Sequence, residues 1–161
     1  MSSFAAMSAE EIRAHRETVL LRVLIRTAQI EMNELVRRLH DLGHEVVQQS
    51  HISVLGNIDT EGTRIAGLAD RLGVTRQAVS QMVTELEKRG WVERSPDPED
   101  GRAILVRHTS SGRTMLLDAL EQMDDIERGY AATIGDKRMR SLKQSLLAIA
   151  AAADPASALG R

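Results

Sequence analysis

The feature that most constrains the fold is the stretch from Ile65 to Arg102, which divides into a helix, a tight turn, a second helix and a hairpin. The turn is predicted at Gly73, because glycine tolerates the left-handed backbone that a tight turn between helices requires. Ala69 is small enough for the two helices to approach closely, and Thr75 is a natural N-cap of the second one. This order predicts a winged helix-turn-helix, a shape that places one helix in a groove of DNA.

Apolar residues recur in these two helices at spacings that place them on one inward face. We expect that face to contain Leu68, Leu72, Val74, Val79, Val83 and Leu86. The outward face of the second helix carries short and medium polar side chains. Arginine pairs with guanine edges, glutamine pairs with adenine, and hydroxyl groups bind phosphates or base edges. The DNA contacts predicted on this helix are Thr75, Arg76, Gln77, Ser80, Gln81 and Thr84.

Two strand-like segments after Gly90 predict the wing, over residues 91–95 and 103–108. The tip between them holds two prolines and a glycine, which favour a rigid loop. Arg102 is placed to reach a narrow minor groove, where the negative potential is enhanced. Asp97 and Asp100 would repel phosphate if unpaired, so we expect them to hold Arg102 or Arg94 in place. The DNA contacts predicted outside the second helix are Arg64, Arg94, Asp100 and Arg102.

Helical patterns flank this module on both sides. Ser8 and Glu11 have the spacing of a capping box, and the apolar pattern predicts one helix from there to about Leu42. A further helix is predicted over residues 45–58, a very short strand at 63–65, and two helices over about 110–134 and 136–149. The long terminal helices carry more apolar residues than one small core can bury, so we expect a homodimer. The predicted division is an N-terminal dimerisation helix (1–45), the winged helix-turn-helix (46–113), and C-terminal dimerisation helices with a tail (114–161).

The composition supports a fold that is mainly α with a small β-hairpin wing. The 161 residues are 42% hydrophobic but only 2% aromatic, so the core is built from aliphatic residues, which favour helices over a large sheet. The absence of cysteine excludes a disulfide framework, a thiolate metal site and thiol-based sensing. No stretch approaches ~18 consecutive apolar residues and no signal peptide pattern is present, so we expect a cytoplasmic protein without a membrane span.

These motifs together resemble the MarR family of regulators. The most specific of them are Gly90-Trp-Val-Glu-Arg94, the tip Asp97-Pro-Glu-Asp-Gly-Arg102, and the segment 105–109 followed by Gly112. Glu99 departs from the pattern, since many members carry a basic residue there. The resemblance implies a dimeric transcriptional regulator, more often a repressor than an activator. Such a regulator binds a pseudo-palindromic operator in double-stranded DNA and is released by a small ligand or by oxidation.

The sequence also bears on two other classes of protein, enzymes and protein-interaction modules. An enzyme is not expected, because the chain has no phosphate-binding glycine loop, no HExxH, no GxSxG and no cysteine nucleophile. Winged helices also serve as protein-interaction or structural modules, which leaves open a function without operator binding.

The sequence gives the least information about the effector. In the MarR family, ligands lie between the dimerisation helices and the DNA-binding lobe, which gives His40, His44, His51 and Met115 as candidate ligand contacts. His40 and His44 are four residues apart, a helical spacing that can also chelate zinc, so metal sensing is a second hypothesis. Gly43 interrupts the helix there and no cysteine contributes. We therefore predict neither a metal site nor a cofactor.

Overall fold

The helices and strands follow the predicted order along the chain. The computed structural model describes residues 7–101 and 103–153. Within these residues the elements are α1 (Ala9–Thr18), α2 (Leu20–Asp41), α3 (Gln49–Leu55), β1 (Thr63–Arg64), α4 (Ile65–Leu72), α5 (Arg76–Lys88), β2 (Val92–Pro96), β3 (Ile104–His108), α6 (Ser110–Ile134) and α7 (Asp136–Ala153). The predicted fold, mainly α with a small β wing, is confirmed. The chain divides into two compact units, Met1–Ala119 and Leu120–Arg161.

The sheet of the first unit is antiparallel, with the strand order β1-β3-β2. In the wing hairpin, Val92 lies opposite His108 and Pro96 lies opposite Ile104. The short strand β1 pairs with the other edge of β3. The chain just before α4 is therefore tied to the wing by backbone hydrogen bonds.

The core of the first unit lies where α5 packs against α3, α4 and β2. It contains the side chains of Leu55, Leu68, Ala69, Val79, Val83, Leu86, Trp91, Val92 and Val106. Four of the six residues predicted to face inward on α4 and α5 are fully buried, and Leu72 is half-buried. The prediction for Val74 is wrong, since this side chain is 43% exposed. Val74 follows Gly73, whose φ of +65° reverses the chain, so it belongs to the periodicity of neither helix.

The N-terminal helix is interrupted at Val19, so the prediction of one continuous helix is wrong. Val19 has an extended backbone (φ −64°, ψ 129°) and separates α1 from α2. Two consecutive β-branched residues, Thr18 and Val19, disfavour helix at this point, and the Thr18 hydroxyl donates to the His15 carbonyl oxygen (3.0 Å). The capping box at the start of α1 is confirmed, with Ser8 and Glu11 each accepting from the other's backbone N–H.

The helix predicted over residues 45–58 is shorter, covering Gln49–Leu55. The residues before it form turns, in which the backbone N–H of His44 donates to Leu39 and that of Val47 donates to His44. At the start of α3 the backbone N–H of Gln48 donates to Nδ1 of His51 (3.2 Å). These capping interactions begin the helix four residues later than periodicity alone predicts.

The first turn of α6 packs directly on the backbone that follows α5. Thr109 donates its hydroxyl to the Gly90 carbonyl oxygen (2.5 Å) and its N–H to the Trp91 carbonyl oxygen (3.1 Å). The Thr109 hydroxyl also accepts from the N–H of Gly112 (3.0 Å), which caps the helix. A Cβ on residue 112 would lie 1.8 Å from the Trp91 carbonyl oxygen, so only glycine fits here.

We expect Gly112→Ala to lower the free energy of unfolding by roughly 2–3 kcal/mol, because the atom that the new methyl group meets is backbone and cannot rotate away. Gly129→Ala, on the same helix, is the matched control, since a Cβ there has no neighbour within 4 Å. That substitution should raise stability by about 0.5–1 kcal/mol, because glycine disfavours a helix interior. Denaturant titration followed by circular dichroism measures both. Equal stability of the two variants would contradict the close packing at Gly112.

Candidate nucleic-acid interface

The N-terminus of α5 is capped and has no acidic side chain in its first turn. The Thr75 hydroxyl accepts from the backbone N–H of Ala78 (3.1 Å), which confirms the predicted N-cap. The hydroxyl keeps its own proton, which it can donate to an outside acceptor. The first turn contains no acidic residue. Free N–H groups and the helix dipole make such a terminus favourable for phosphate.

The polar side chains predicted to read DNA share one face of α5. Arg76, Gln77 and Gln81 are exposed, while Ser80 and Thr84 are half-buried. An open groove of about 550 Å³ runs along this face and is lined by Gln77, Ser80, Gln81, Thr84, Glu85 and Lys88. The structure therefore brings four of the predicted contacts to one surface beside the exposed Arg76.

Arg94 is held by α5 from the neighbouring strand β2. Its Nη2 donates to the Thr84 hydroxyl (2.9 Å) and to the Ser80 carbonyl oxygen (3.1 Å). Its Nη1 forms an ion pair with the Glu87 carboxylate. Thr84 also donates its own hydroxyl to the Ser80 carbonyl oxygen (2.8 Å). The guanidinium thus has three acceptors, all on one helix.

Arg64 forms a second ion pair between secondary-structure elements, which joins β1 to the wing tip. Its Nε donates to Oδ2 of Asp97 (2.6 Å), and Oδ1 of Asp97 accepts from the backbone N–H of Glu99 (2.8 Å). The Glu99 N–H and the Arg64 guanidinium lower the pKa of Asp97, although burial opposes them. The hydrogen bond and charge of Asp97 raise the pKa of Arg64 in turn. This tightly held carboxylate is only 6% exposed.

The wing tip differs in part from the expected pairing. Asp97 was expected to hold Arg102 or Arg94, and among the described residues its side-chain partner is Arg64 and not Arg94. The backbone of Asp100 closes the tip, with its N–H donating to Asp97 (3.3 Å) and its carbonyl accepting from Ala103 (2.8 Å). Arg102 lies outside the described residues.

The predicted effector residues occupy separate contacts in the first unit. Nε2 of His40 lies 2.9 Å from the Val47 carbonyl oxygen, and Nε2 of His44 lies 2.8 Å from Oδ2 of Asp118 on α6. Both contacts hold the segment between α2 and α3. His51 and Met115 are fully buried. Among the described residues, no three His, Asp or Glu side chains lie close enough to hold a metal ion together.

The burial of a histidine in the core was not predicted from the sequence. His51 is 0% exposed and meets Trp91 edge-on, with the ring centroids 5.9 Å apart. Because its Nδ1 accepts from the Gln48 N–H, the neutral ring carries its proton on Nε2, which lies 3.5 Å from Oε2 of Glu85. Burial lowers the pKa of His51 and also that of His108 on β3. The only signal for His51 in the sequence is its place inside an apolar run.

These histidines predict a loss of stability in acid. Their pKa values are lowered on folding, so below about pH 6.5 the unfolded chain binds more protons than the folded one. The free energy of unfolding should therefore be constant above that pH and fall as the pH decreases through it. Denaturant titrations at several pH values between 7.5 and 5 measure this.

Substitutions of the two buried histidines test whether they cause this pH dependence of stability. His51→Gln and His108→Gln should each reduce the pH dependence, because a neutral amide replaces a group that must lose its proton to be buried. His15→Gln, at an exposed position of α1, is the control and should leave the dependence as in the parent. An unchanged pH dependence in both buried variants would refute the assignment.

The fold and this surface define the chain as a winged helix-turn-helix protein. The model of the MarR family matches residues 47–103, from the end of the α2–α3 segment to the wing. The resemblance inferred from the sequence is confirmed over this segment, which matches the winged helix-turn-helix of the MarR family of transcriptional regulators.

Relatives of known sequence or structure agree with this family. YdcH of Bacillus subtilis, described as an uncharacterized HTH-type transcriptional regulator, is 36% identical over 70 residues, which are 43% of this chain and 48% of YdcH. The matched segment thus spans about half the length of that relative. These proteins are described as transcriptional regulators and not as enzymes.

Two solved structures share the fold over most of the chain. CouR from Rhodococcus jostii RHA1, bound to p-coumaroyl-CoA, has a TM-score of 0.68 and 27% identity, covering 83% of this chain and 93% of CouR. The apo form of MarR from E. coli has a TM-score of 0.68 and 23% identity, covering 81% of this chain and 96% of MarR. None of the helices in the described residues combines the length and apolarity needed to cross a membrane.

Proposed function

We propose that this protein is a homodimeric, sequence-specific regulator of transcription, most simply a repressor, that binds double-stranded DNA in the cytoplasm. The observation that carries the proposal is the outward face of α5. Its N-terminus is capped, lacks acidic residues in the first turn and presents Arg76, Gln77 and Gln81 to solvent. A face intended only for solvation would carry the Glu and Lys residues that α5 confines to its last turns.

These side chains imply what the helix reads. Arginine binds O6 and N7 of guanine with two hydrogen bonds, and glutamine binds N6 and N7 of adenine in the same way. Arg76 and Gln77 precede Gln81 by about one helical turn, so the three reach neighbouring base pairs. Thr75 and the N-terminal N–H groups of α5 are placed to bind the adjacent phosphates.

Exposed apolar residues support a dimer. In the first unit, Leu21 on α2 is 66% exposed and Ile25, one turn further, is 60% exposed. In the second unit, Leu147 on α7 is 62% exposed. Apolar side chains repeated along helices in this way favour association with a second copy. A two-fold dimer places two copies of α5 about 34 Å apart, which matches successive major grooves of a pseudo-palindromic operator.

Release by a small ligand completes the proposal. A ligand that binds better to a dimer with another separation of its two α5 helices weakens DNA binding by that difference in affinity. The solved complex of CouR with p-coumaroyl-CoA shows that protein holding a small ligand. We keep His40, His44, His51 and Met115 as the proposed effector region, because His44 joins the α2–α3 segment to α6 through Asp118.

Operator binding is tested by selecting bound fragments from genomic DNA and titrating the enriched sequence. We expect saturable binding that weakens as salt rises. Arg76→Ala and Gln77→Ala should each lose about 1–3 kcal/mol of discrimination at one base pair. Arg37→Gln, on α2, is the control for loss of one positive charge and should bind like the parent. A protein-interaction module would instead give no enriched sequence.

The dimer is tested by light scattering at micromolar concentration. The parent should have the mass of two chains of 17.8 kDa each. The double variant Leu21→Glu with Ile25→Glu should shift toward one chain, because four carboxylates would be buried in the interface of each dimer. Val46→Glu, at another exposed apolar position, is the matched control and should remain dimeric. A monomeric parent would overturn the dimer.

A further inference from the structure

We propose that Arg94, together with Glu87 and Thr84, positions the wing strand β2 against α5, and that Arg94 is not a DNA ligand. This differs from the expectation for Arg94 and Thr84 drawn from the sequence. The inference rests on the proposed DNA binding for its functional consequence. Its structural part, the coupling of β2 to α5, does not require DNA.

The spacing of the acceptors explains how one side chain holds the helix. Ser80, Thr84 and Glu87 follow each other at four and three residues, so they form one stripe along α5. Arg94 spans this stripe from β2, with Nη2 on Ser80 and Thr84 and Nη1 on Glu87. The Ser80 carbonyl oxygen and the Thr84 hydroxyl lie 2.8 Å apart at one level of the helix, and Glu87 lies three residues further along. Contacts at these two levels restrict both the rotation and the sliding of the helix relative to the strand.

The charge of Arg94 is already compensated. The side chain is 27% exposed, and its guanidinium is paired with the Glu87 carboxylate, itself 39% exposed. A phosphate would have to displace that carboxylate or accept its repulsion. Thr84 is similarly occupied, since its hydroxyl accepts from Arg94 and donates to Ser80.

The helix therefore has two stripes of polar groups, one that contacts β2 and one that is exposed to solvent. Arg94 on the wing strand binds the side chains of Thr84 and Glu87 and the backbone carbonyl of Ser80. Gln77 and Gln81, four residues apart, are exposed beside them. Base preference should depend on the second stripe together with Arg76. The first stripe should set how well the helix and the wing engage DNA at the same time.

The decisive variant is Glu87→Gln, because the two roles of Arg94 predict opposite results. If Arg94 positions β2, removing its ion partner weakens operator binding, roughly three- to tenfold by the usual net strength of one hydrogen bond, because the glutamine can still accept from Arg94 without the charge. If Arg94 binds phosphate, the same change frees it and removes a negative charge near DNA, so binding stays equal or tightens. Glu93→Gln, an exposed carboxylate on β2 next to Arg94, is the matched control.

A double-mutant cycle gives a second criterion. Arg94→Gln should weaken operator binding roughly tenfold, and adding Glu87→Gln to it should cause little further loss, because the two changes break the same contact. The enriched sequence should keep its base preference in these variants, whereas Arg76→Ala alters it. Additive losses, or tighter binding by Glu87→Gln, would overturn the proposal.

A second cycle, measured as the free energy of unfolding, requires no DNA. Coupling between Arg94→Gln and Thr84→Val, absent between Arg94→Gln and Glu93→Gln, supports the fastening of β2 to α5. Trp91 is the only tryptophan, so its fluorescence follows unfolding of this region in every variant. If the parent bound no DNA, the proposed function would fail while this coupling still decided the structural inference. An absence of coupling in a DNA-binding parent would overturn the inference alone.

Discussion

The interaction on which the rest of the structure depends is the burial of one face of α5. Val79, Val83 and Leu86 are completely excluded from solvent, and they seat the helix against α3, α4 and β2. Because the positions around a helix are fixed relative to one another, burying this face turns the opposite face toward solvent. Arg76, Gln77 and Gln81 are presented outward because the aliphatic side chains are inward, and the proposed reading of DNA follows from that packing.

Electrostatic contacts then join the elements that packing alone would leave independent. Arg64 ties β1 to the wing tip through Asp97, and Arg94 ties β2 to α5 through Glu87. Both are arginines in a region proposed to bind an anionic partner, yet both are neutralised by carboxylates within the protein. The planar guanidinium of Arg94 holds three acceptors at once, whereas Arg64 directs Nε and Nη2 to one oxygen, Oδ2 of Asp97. The two ion pairs join the wing hairpin to β1 and to α5.

Local patterns predicted the helix caps and the tight turn between α4 and α5 correctly. The capping box of Ser8 and Glu11, the N-cap of Thr75 and the turn at Gly73 depend on residues a few positions apart, and all three were predicted. The failures have equally definite causes. Val74 follows the periodicity of its neighbours in the sequence, but the turn takes it out of both helices. The interruption at Val19 depends on two β-branched residues within a long apolar pattern that otherwise favours one helix.

The sequence by itself determined the order of the elements from α3 to α7, the resemblance to the MarR family and the set of polar residues at the proposed interface, because caps, periodicity and turn residues act over short distances. Only the tertiary structure decided what those polar residues are free to do. Arg64 meets a partner 33 positions away and Arg94 meets Ser80 14 positions away, and no periodicity relates such residues. His51 became a buried neutral base for the same reason, since burial depends on which elements pack over a side chain. The stretch from Arg64 to Asp97 thus holds both the predicted reading face and the two ion pairs that only packing revealed.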